Sequence, residues 1–414
     1  MCQTAIDKET FPGIAQLAAA NKVYLDSAAT AQKPNVVLQA MHNAAIEFNF
    51  PVNRSFYPAA ATTAAKVDQV RAQVLQHFKA TDDFTAIFCA SATDALNLLA
   101  SGLKPCWQSF PNNILLTTAE HHSNIAPWLE LAASTASTVN MLPLPTRGFF
   151  QAKDFALQIN VQPVGLLAIT LDSNVLGPVW QPDWAELQAV IQMVHAQGGL
   201  VVLDASQAIA YRQIDLALLD ADFLVFSGHK FGAPHGIGAL IGKTKLLANL
   251  QPMRVGGGNI SQLDDQNYTL APLPERLEAG SLPNALIIGL GAALDFLTQQ
   301  LLPCQPHVTA LCQAAIAGLQ QLAGIRILGN AAFMAHHGHM VSFVHSTIPV
   351  HDLAWSLGQA GVYVRAGFHC AQPLHRQLQA NGSVRASFFA YNSMQDVQRL
   401  LSELRYVLQF FGEQ

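Results

Sequence analysis

The sequence predicts an α/β protein: a large domain on a mainly parallel seven-stranded sheet, followed by a smaller α+β domain. Three observations predict it. Between about residues 35 and 245, apolar runs of strand length alternate with helical patterns. The runs are apolar throughout rather than alternating, as befits strands covered on both faces. After about residue 280 the alternation stops, and long helical stretches give way to scattered strands. The large domain is expected over residues 22–280, and the small one over 1–21 and 281–414.

The elements follow in order. Helices are expected at Val36–Phe48 and Ala64–Phe78, where apolar side chains recur at helical spacing. Strand Thr85–Cys89 is rich in β-formers, and Ser91-Ala-Thr93 opens the helix that runs to Ser101. Strand Asn113–Thr118, helix Ala126–Ser134, strand Thr138–Leu142 and strand Leu166–Leu171 continue the pattern. Helix Asp183–Ala196 precedes strands Leu200–Asp204, Phe223–Phe226 and Ile237–Ile241. Residues 251–280, with three successive glycines at Gly256 to Gly258, read as a connection. Helices Ala285–Gln300 and Pro306–Ala323, strands Met340–Val344, Val362–Arg365 and Ser383–Phe388, and a terminal helix Met394–Phe411 complete the chain.

At 414 residues two domains are affordable in size. Charged residues are 12% and apolar residues 51%, little charge for a free monomer, so surface buried between subunits of a homodimer is expected. A net charge of -5 and the lack of a basic run give no reason to expect nucleic acid. No uninterrupted apolar stretch reaches the roughly eighteen residues of a membrane span. The richest, Leu286–Leu297, is broken by Gly289, Gly291 and Asp295. The first residues lack the basic start and apolar core of a signal peptide. Six cysteines without a Cys-x-x-Cys pair suggest neither a disulfide framework nor a metal site, and a reducing cytoplasm is expected.

The chemistry concentrates at two strand ends. Ser227-Gly-His-Lys230 closes one apolar run and places an amine at its mouth, where the surroundings set its pKa. Asp204 closes the preceding run. A lone strand-end lysine is ordinarily a solvated surface residue, and a lone aspartate ordinarily a helix cap. Together they are what pyridoxal 5'-phosphate requires: Lys230 to hold the aldehyde, Asp204 to keep the ring nitrogen protonated. Gln207 is placed to reach the phenolic oxygen. Ser227 and His229 offer donors to a phosphate, Ala92 and Thr93 open a helix whose N-terminus suits one, and His121 follows another strand where its ring can stack.

Leu25-Asp-Ser-Ala-Ala-Thr30, Glu120-His-His-Ser-Asn124, Ser173-Asn-Val-Leu-Gly177, Asp204-Ala-Ser-Gln207, Ser227-Gly-His-Lys230, Glu278-Ala-Gly280 and Arg365-Ala-Gly-Phe-His-Cys-Ala-Gln-Pro373 together resemble the class V aminotransferase family. Within it the chain is most similar to short-loop cysteine desulfurases, closest to the cysteine sulfinate desulfinase-like group. The likeness runs from about Tyr24 to Leu408 and implies the pyridoxal phosphate-dependent transferase fold of type I. It implies Lys230 as aldehyde carrier and proton shuttle, and Asp204, Gln207 and His121 at the ring. Ala92, Thr93, Ser227 and His229 are implied at the phosphate, with Ser281 reaching the phosphate of a neighbouring subunit. Asn174 and Arg385, with Arg365, are implied at the substrate carboxylate, which a guanidinium meets bidentately.

Among the cysteines, Cys2 lies in the terminus, Cys89 ends a strand, and Cys106, Cys304 and Cys312 show no polar neighbours of interest. Cys370 stands apart in a polar loop, with an imidazole and a guanidinium as neighbours whose positive charge would favour thiolate. The resemblance implies that this thiol takes sulfur from L-cysteine, leaving L-alanine and a persulfide for an acceptor protein. Cysteine sulfinate and selenocysteine, which carry better leaving groups, remain alternative substrates, and iron–sulfur cluster assembly is one use of the sulfur. A transaminase or kynureninase-like enzyme on the same fold is the competing reading, and a non-catalytic scaffold the third. Some positions depart from the pattern: Asn53, Asp172, Gly232 and His235. Asp172 is expected to put a negative charge near an anionic substrate.

Overall fold

The computed structural model describes residues 5–52 and 55–412, so Cys2 and Asn53 lie outside the described residues. The large sheet has seven strands: β1 (Phe84–Cys89), β2 (Asn113–Thr117), β3 (Thr138–Leu142), β4 (Leu166–Thr170), β5 (Leu200–Asp204), β6 (Phe223–Ser227) and β7 (Gly238–Lys243). Their order is β1-β7-β6-β5-β4-β2-β3, and β7 alone runs against the rest. Every residue of β2, β4, β5 and β6 is buried, which is why these segments read as unbroken apolar runs. Gly238 is required where β7 joins β6, since a Cβ there would lie 2.3 Å from the Phe226 carbonyl oxygen.

Helices α1 (Asn35–Glu47) and α2 (Pro58–His77) pack against α4 (Asn284–Phe296) beside the sheet, while α3 (Ala92–Leu103) packs against β6 and β7. The helical run Asn284–Leu319 is long and apolar enough to cross a membrane by length and composition, with half of its most apolar window buried inside the protein. That apolar character serves packing against α1 and α2.

The small sheet, β8 (Ile325–Ile327), β9 (Met340–His345), β10 (Arg365–Gly367) and β11 (Ser383–Ser387), is antiparallel in the order β8-β9-β11-β10. Helices α5 (Val350–Gln359) and α6 (Gln372–Gln377) flank β10, and α7 (Met394–Phe410) closes the chain. The strand expected at Val362–Arg365 is divided. Val362–Tyr363 pairs with Val23–Tyr24, and Arg365 begins β10. The expected connection 251–280 holds a two-stranded hairpin, Ile260–Leu263 with Tyr268–Leu270, whose strands are mostly exposed and so carry no apolar run.

The segment from Val23 to Ala31 positions the site. It pairs with Val362–Tyr363, bridges to β11 at Asp26–Ser387, and its Ala31 N–H donates to the His229 carbonyl at 2.9 Å. This one segment therefore touches both the small sheet and the turn that carries Lys230.

Candidate active site

Strand β6 ends at Ser227, and the single turn Gly228–Lys230 follows it. The Lys230 Nζ donates to the carbonyls of Ala28 (2.8 Å) and Ala29 (3.2 Å). Burial, with Arg385 adding repulsion, pulls its pKa down to about 8. The adjacent parallel strand β5 ends at Asp204, whose register partner is Val225. The Asp204 carboxylate is buried, accepts the Ser206 N–H at 2.9 Å, and has its pKa raised by that burial. Gln207 Nε2 donates to the Ala28 carbonyl at 2.9 Å, so Gln207 and Lys230 meet at one oxygen.

His121 leads into the turn His122–Asn124. Its Nδ1 accepts the Ser123 N–H at 3.1 Å, which leaves the proton on Nε2. Burial and the nearby Lys230 push its pKa down to about 4, so the ring is neutral. A closed buried network holds this turn. Glu120 accepts from Thr117 Oγ1 and Asn124 Nδ2, both at 2.7 Å, and Trp128 Nε1 donates to Asn124 Oδ1 at 3.0 Å. Burial lifts the Glu120 pKa to about 8, so this carboxyl is largely protonated at neutral pH.

At the start of α3, the Ala92 N–H donates to Ser227 Oγ at 2.8 Å, and Thr93 Oγ1 bonds Ser123 Oγ at 2.7 Å. His229 is neutral, its pKa pushed to about 3 by burial, and its Nδ1 is buried without a partner among the described residues. Its ring stacks on His235 at 4.9 Å, and His235 Nε2 lies 3.2 Å from Thr30 Oγ1. Gly232 has φ +91, and a Cβ there would meet Pro34 Cδ at 3.1 Å, so a larger residue at this position is strained. Ser281 is exposed and lines a cavity of about 180 Å³ with Asp94, Arg254 and Glu278, a cavity that neither Lys230 nor Asp204 lines.

Arg385 in β11 is buried. Its Nη1 donates to the Asn174 carbonyl at 2.7 Å, its Nη2 to Asp26 Oδ1 at 3.0 Å, and its Nε has no partner among the described residues. Asn174 donates to the His369 carbonyl at 2.5 Å while its Oδ1 is likewise unpartnered. Arg365, half exposed, grips the same Asp26 at 3.0 Å. Asp26 thus holds both guanidiniums, a role its motif did not reveal. Asp172 does not add charge to this group as expected. It is buried on Arg212 at 2.9 Å, with its pKa raised by burial to about 6.

Cys370 is the one exposed cysteine among the described residues. His369 and Cys370 are both left-handed, with φ +50 and +57, and the Cys370 carbonyl accepts the His122 N–H at 2.8 Å. The cysteine loop therefore rests on the residue next to His121. The expected cationic imidazole is absent: burial and Arg385 push the His369 pKa to about 2, and its Nε2 sits 3.1 Å from Ser383 Oγ.

The chain matches the family described as aminotransferase class-V over residues 23–400. The chain belongs to that family. Class-V aminotransferases of the desulfurase kind depend on pyridoxal phosphate, and the residues here suit it: a buried amine of lowered pKa, a buried carboxylate of raised pKa, and an imidazole nitrogen that is buried without a partner among the described residues. Among relatives within the family, a probable cysteine desulfurase of Vibrio cholerae is 36% identical over 396 residues, covering 95% of this chain and 96% of that protein. The crystal structure of cysteine desulfurase CsdA from Escherichia coli superposes with a TM-score of 0.85 at 31% identity, covering 97% of this chain and 98% of that one. Apo cysteine desulfurase from Thermococcus onnurineus has a TM-score of 0.88 at 28% identity, covering 99% and 100%.

Proposed function

We propose that this chain is a pyridoxal phosphate-dependent cysteine desulfurase that converts L-cysteine to L-alanine and carries the sulfur on Cys370. The observation that carries the reading is the seating of an exposed thiol loop on His122, beside the Lys230–Asp204–His121 group. A transaminase has no use for such a thiol.

Bound pyridoxal phosphate supplies the electron sink that makes the substrate Cα proton acidic. Lys230, with its amine tuned close to neutral pH, takes that proton. The unpartnered Nε–H of buried Arg385 supports a role for it in holding the substrate carboxylate, and Asn174 adds to the grip through its Nδ2 amide, because its Oδ1 only accepts. Cys370 Sγ attacks the substrate sulfur. The new S–S bond forms as the Cβ–S bond breaks, its electron pair stays with carbon, and protons returned to carbon give alanine. Free cysteine and the enzyme thiol become alanine and an enzyme persulfide, with no external oxidant. The persulfide passes to the thiol of an acceptor protein, and Ser281 completes the phosphate site of the partner in a homodimer.

The test is mass spectrometry of the enzyme after brief exposure to cysteine. One extra sulfur atom is expected on the tryptic peptide Ala366–Arg376, together with alanine in solution. Alanine formed without sulfur on that peptide would refute the thiol-transfer route.

A further inference from the structure

Gln377 ends α6, the helix that begins two residues after Cys370. Both ends of its side-chain amide are bonded across the seam between the cysteine-bearing segment and the large sheet. Oε1 accepts from Thr118 Oγ1 at 2.6 Å and from the Leu144 N–H at 3.1 Å, and Nε2 donates to the Leu144 carbonyl at 2.5 Å. Thr118 directly follows β2 and stands three residues before His121. The same hydroxyl also accepts the Leu144 N–H at 3.0 Å, so Thr118, Leu144 and Gln377 form one closed cluster.

A six-residue helix has little stability of its own, so its place is set by what it is tied to. Leu374 and His375 anchor α6 in the small-domain core, and Gln377 anchors it to the large sheet. At the other end of the loop, the Cys370 carbonyl is held by His122 and the His369 carbonyl by Asn174. Two successive left-handed residues between these anchors need such enclosure to persist. The cysteine is therefore suspended between two sets of ties, and each set has one member, Thr118 or His122, at the strand end that carries His121.

We propose that Gln377 is a positioning residue for sulfur transfer: by joining α6 to Thr118 and Leu144, it sets where the Cys370 thiol stands relative to the substrate. The inference rests on the reading under Proposed function. Thiol attack demands near-contact placement, and an error of about 1 Å costs on the order of a hundred-fold in rate. Binding of cofactor and of the substrate carboxylate draws on other residues and does not depend on the clamp.

The experiment uses the holoenzyme and two variants, Gln377→Leu and Thr118→Val, reading kcat and KM for cysteine, persulfide on residue 370, and the absorbance of the bound cofactor. Gln377→Leu should lower kcat and the rate of persulfide formation by about ten-fold or more, with KM within about two-fold and the absorbance unchanged. Thr118→Val should lower kcat by less, and the double variant no further than Gln377→Leu alone, as residues acting through one contact do. Wild-type kcat in both single variants would overturn the proposal, as would a loss that appears in KM or in cofactor absorbance. Should Gln377→Leu fail to fold, Thr118→Val decides by the same criteria. If the wild-type enzyme makes no alanine, both readings fall; if it turns over and the variants match it, only the clamp does.

Discussion

At the scale of single residues, the site is built by desolvation. Lys230 has an ordinary pKa of 10.5 and is brought to about 8 chiefly by burial. The sign of the consequence is fixed. Between about pH 8 and 10.5 the unfolded chain keeps a proton that the folded chain has given up, so this group adds stability as pH rises through that window. Below pH 8 the buried charge is a full cost. Lys230→Met should therefore stabilise the cofactor-free protein at pH 7 by about 1 kcal/mol or more, an advantage that shrinks as pH approaches 10. Urea unfolding of both proteins at pH 7 and 9.5 measures it, and a pH-independent difference would contradict the assignment. Lys230, Asp204 and Cys370 were legible in the sequence because each closes an apolar run or sits in a short polar motif. Asp26 and Gln377 were not, because their partners lie hundreds of residues away along the chain. The neutrality of His369 was hidden for the same reason: it comes from burial and from Arg385, not from its neighbours in sequence.

At the scale of elements, the strands of the large sheet were readable because burial on both faces leaves only apolar residues. The helix Ala152–Val161 escaped because it displays a polar face and begins with the capping pair Gln151 and Asp154 instead of an apolar run. The hairpin in residues 260–270 escaped because its side chains are mostly in water. The 251–280 segment is nonetheless anchored at its end. Glu278 is buried, receives both Arg71 Nη atoms at 2.7 and 3.0 Å, and accepts the Phe88 N–H at 2.6 Å. Arg71 also donates to the Ala86 carbonyl, so α2, β1 and the strand-free stretch before Ser281 meet at one ion pair. Arg71→Leu leaves that carboxylate buried without its cation and should cost about 3 kcal/mol by denaturant unfolding. Arg71→Leu combined with Glu278→Gln should recover part of the loss. A change below about 1 kcal/mol in the single variant would show that the pair is not what anchors the segment.

At the scale of the whole molecule, one electrostatic joint ties the small sheet to the segment that covers the Lys230 turn. Asp26 lies on the segment from Val23 to Ala31, which also covers the Lys230 turn, and its carboxylate receives Arg385 from β11 and Arg365 from β10. Arg385 is buried, and its charge is sustained there by Asp26, the first of the groups opposing its desolvation. Asp26→Asn keeps the shape and removes the charge, stranding a guanidinium in the core. The expected cost is about 3 kcal/mol, since breaking one side of a buried pair exposes the full desolvation penalty of the other. Arg385→Met should also destabilise, but adding it to Asp26→Asn should cost little more, because the neutral pair no longer buries an unmatched charge. The coupling therefore belongs to the pair and is read from a double-mutant cycle in urea. Cysteine turnover separates the two roles: Arg385→Met should raise KM through the lost carboxylate contact, while Asp26→Asn should leave Arg385 free to bind substrate and so lower KM or leave it unchanged. An Asp26→Asn enzyme as stable as wild type, with additive behaviour in the cycle, would mean that the segment from Val23 to Ala31 is held to the small sheet by packing and backbone pairing alone and that Arg385 keeps its charge by some route other than Asp26.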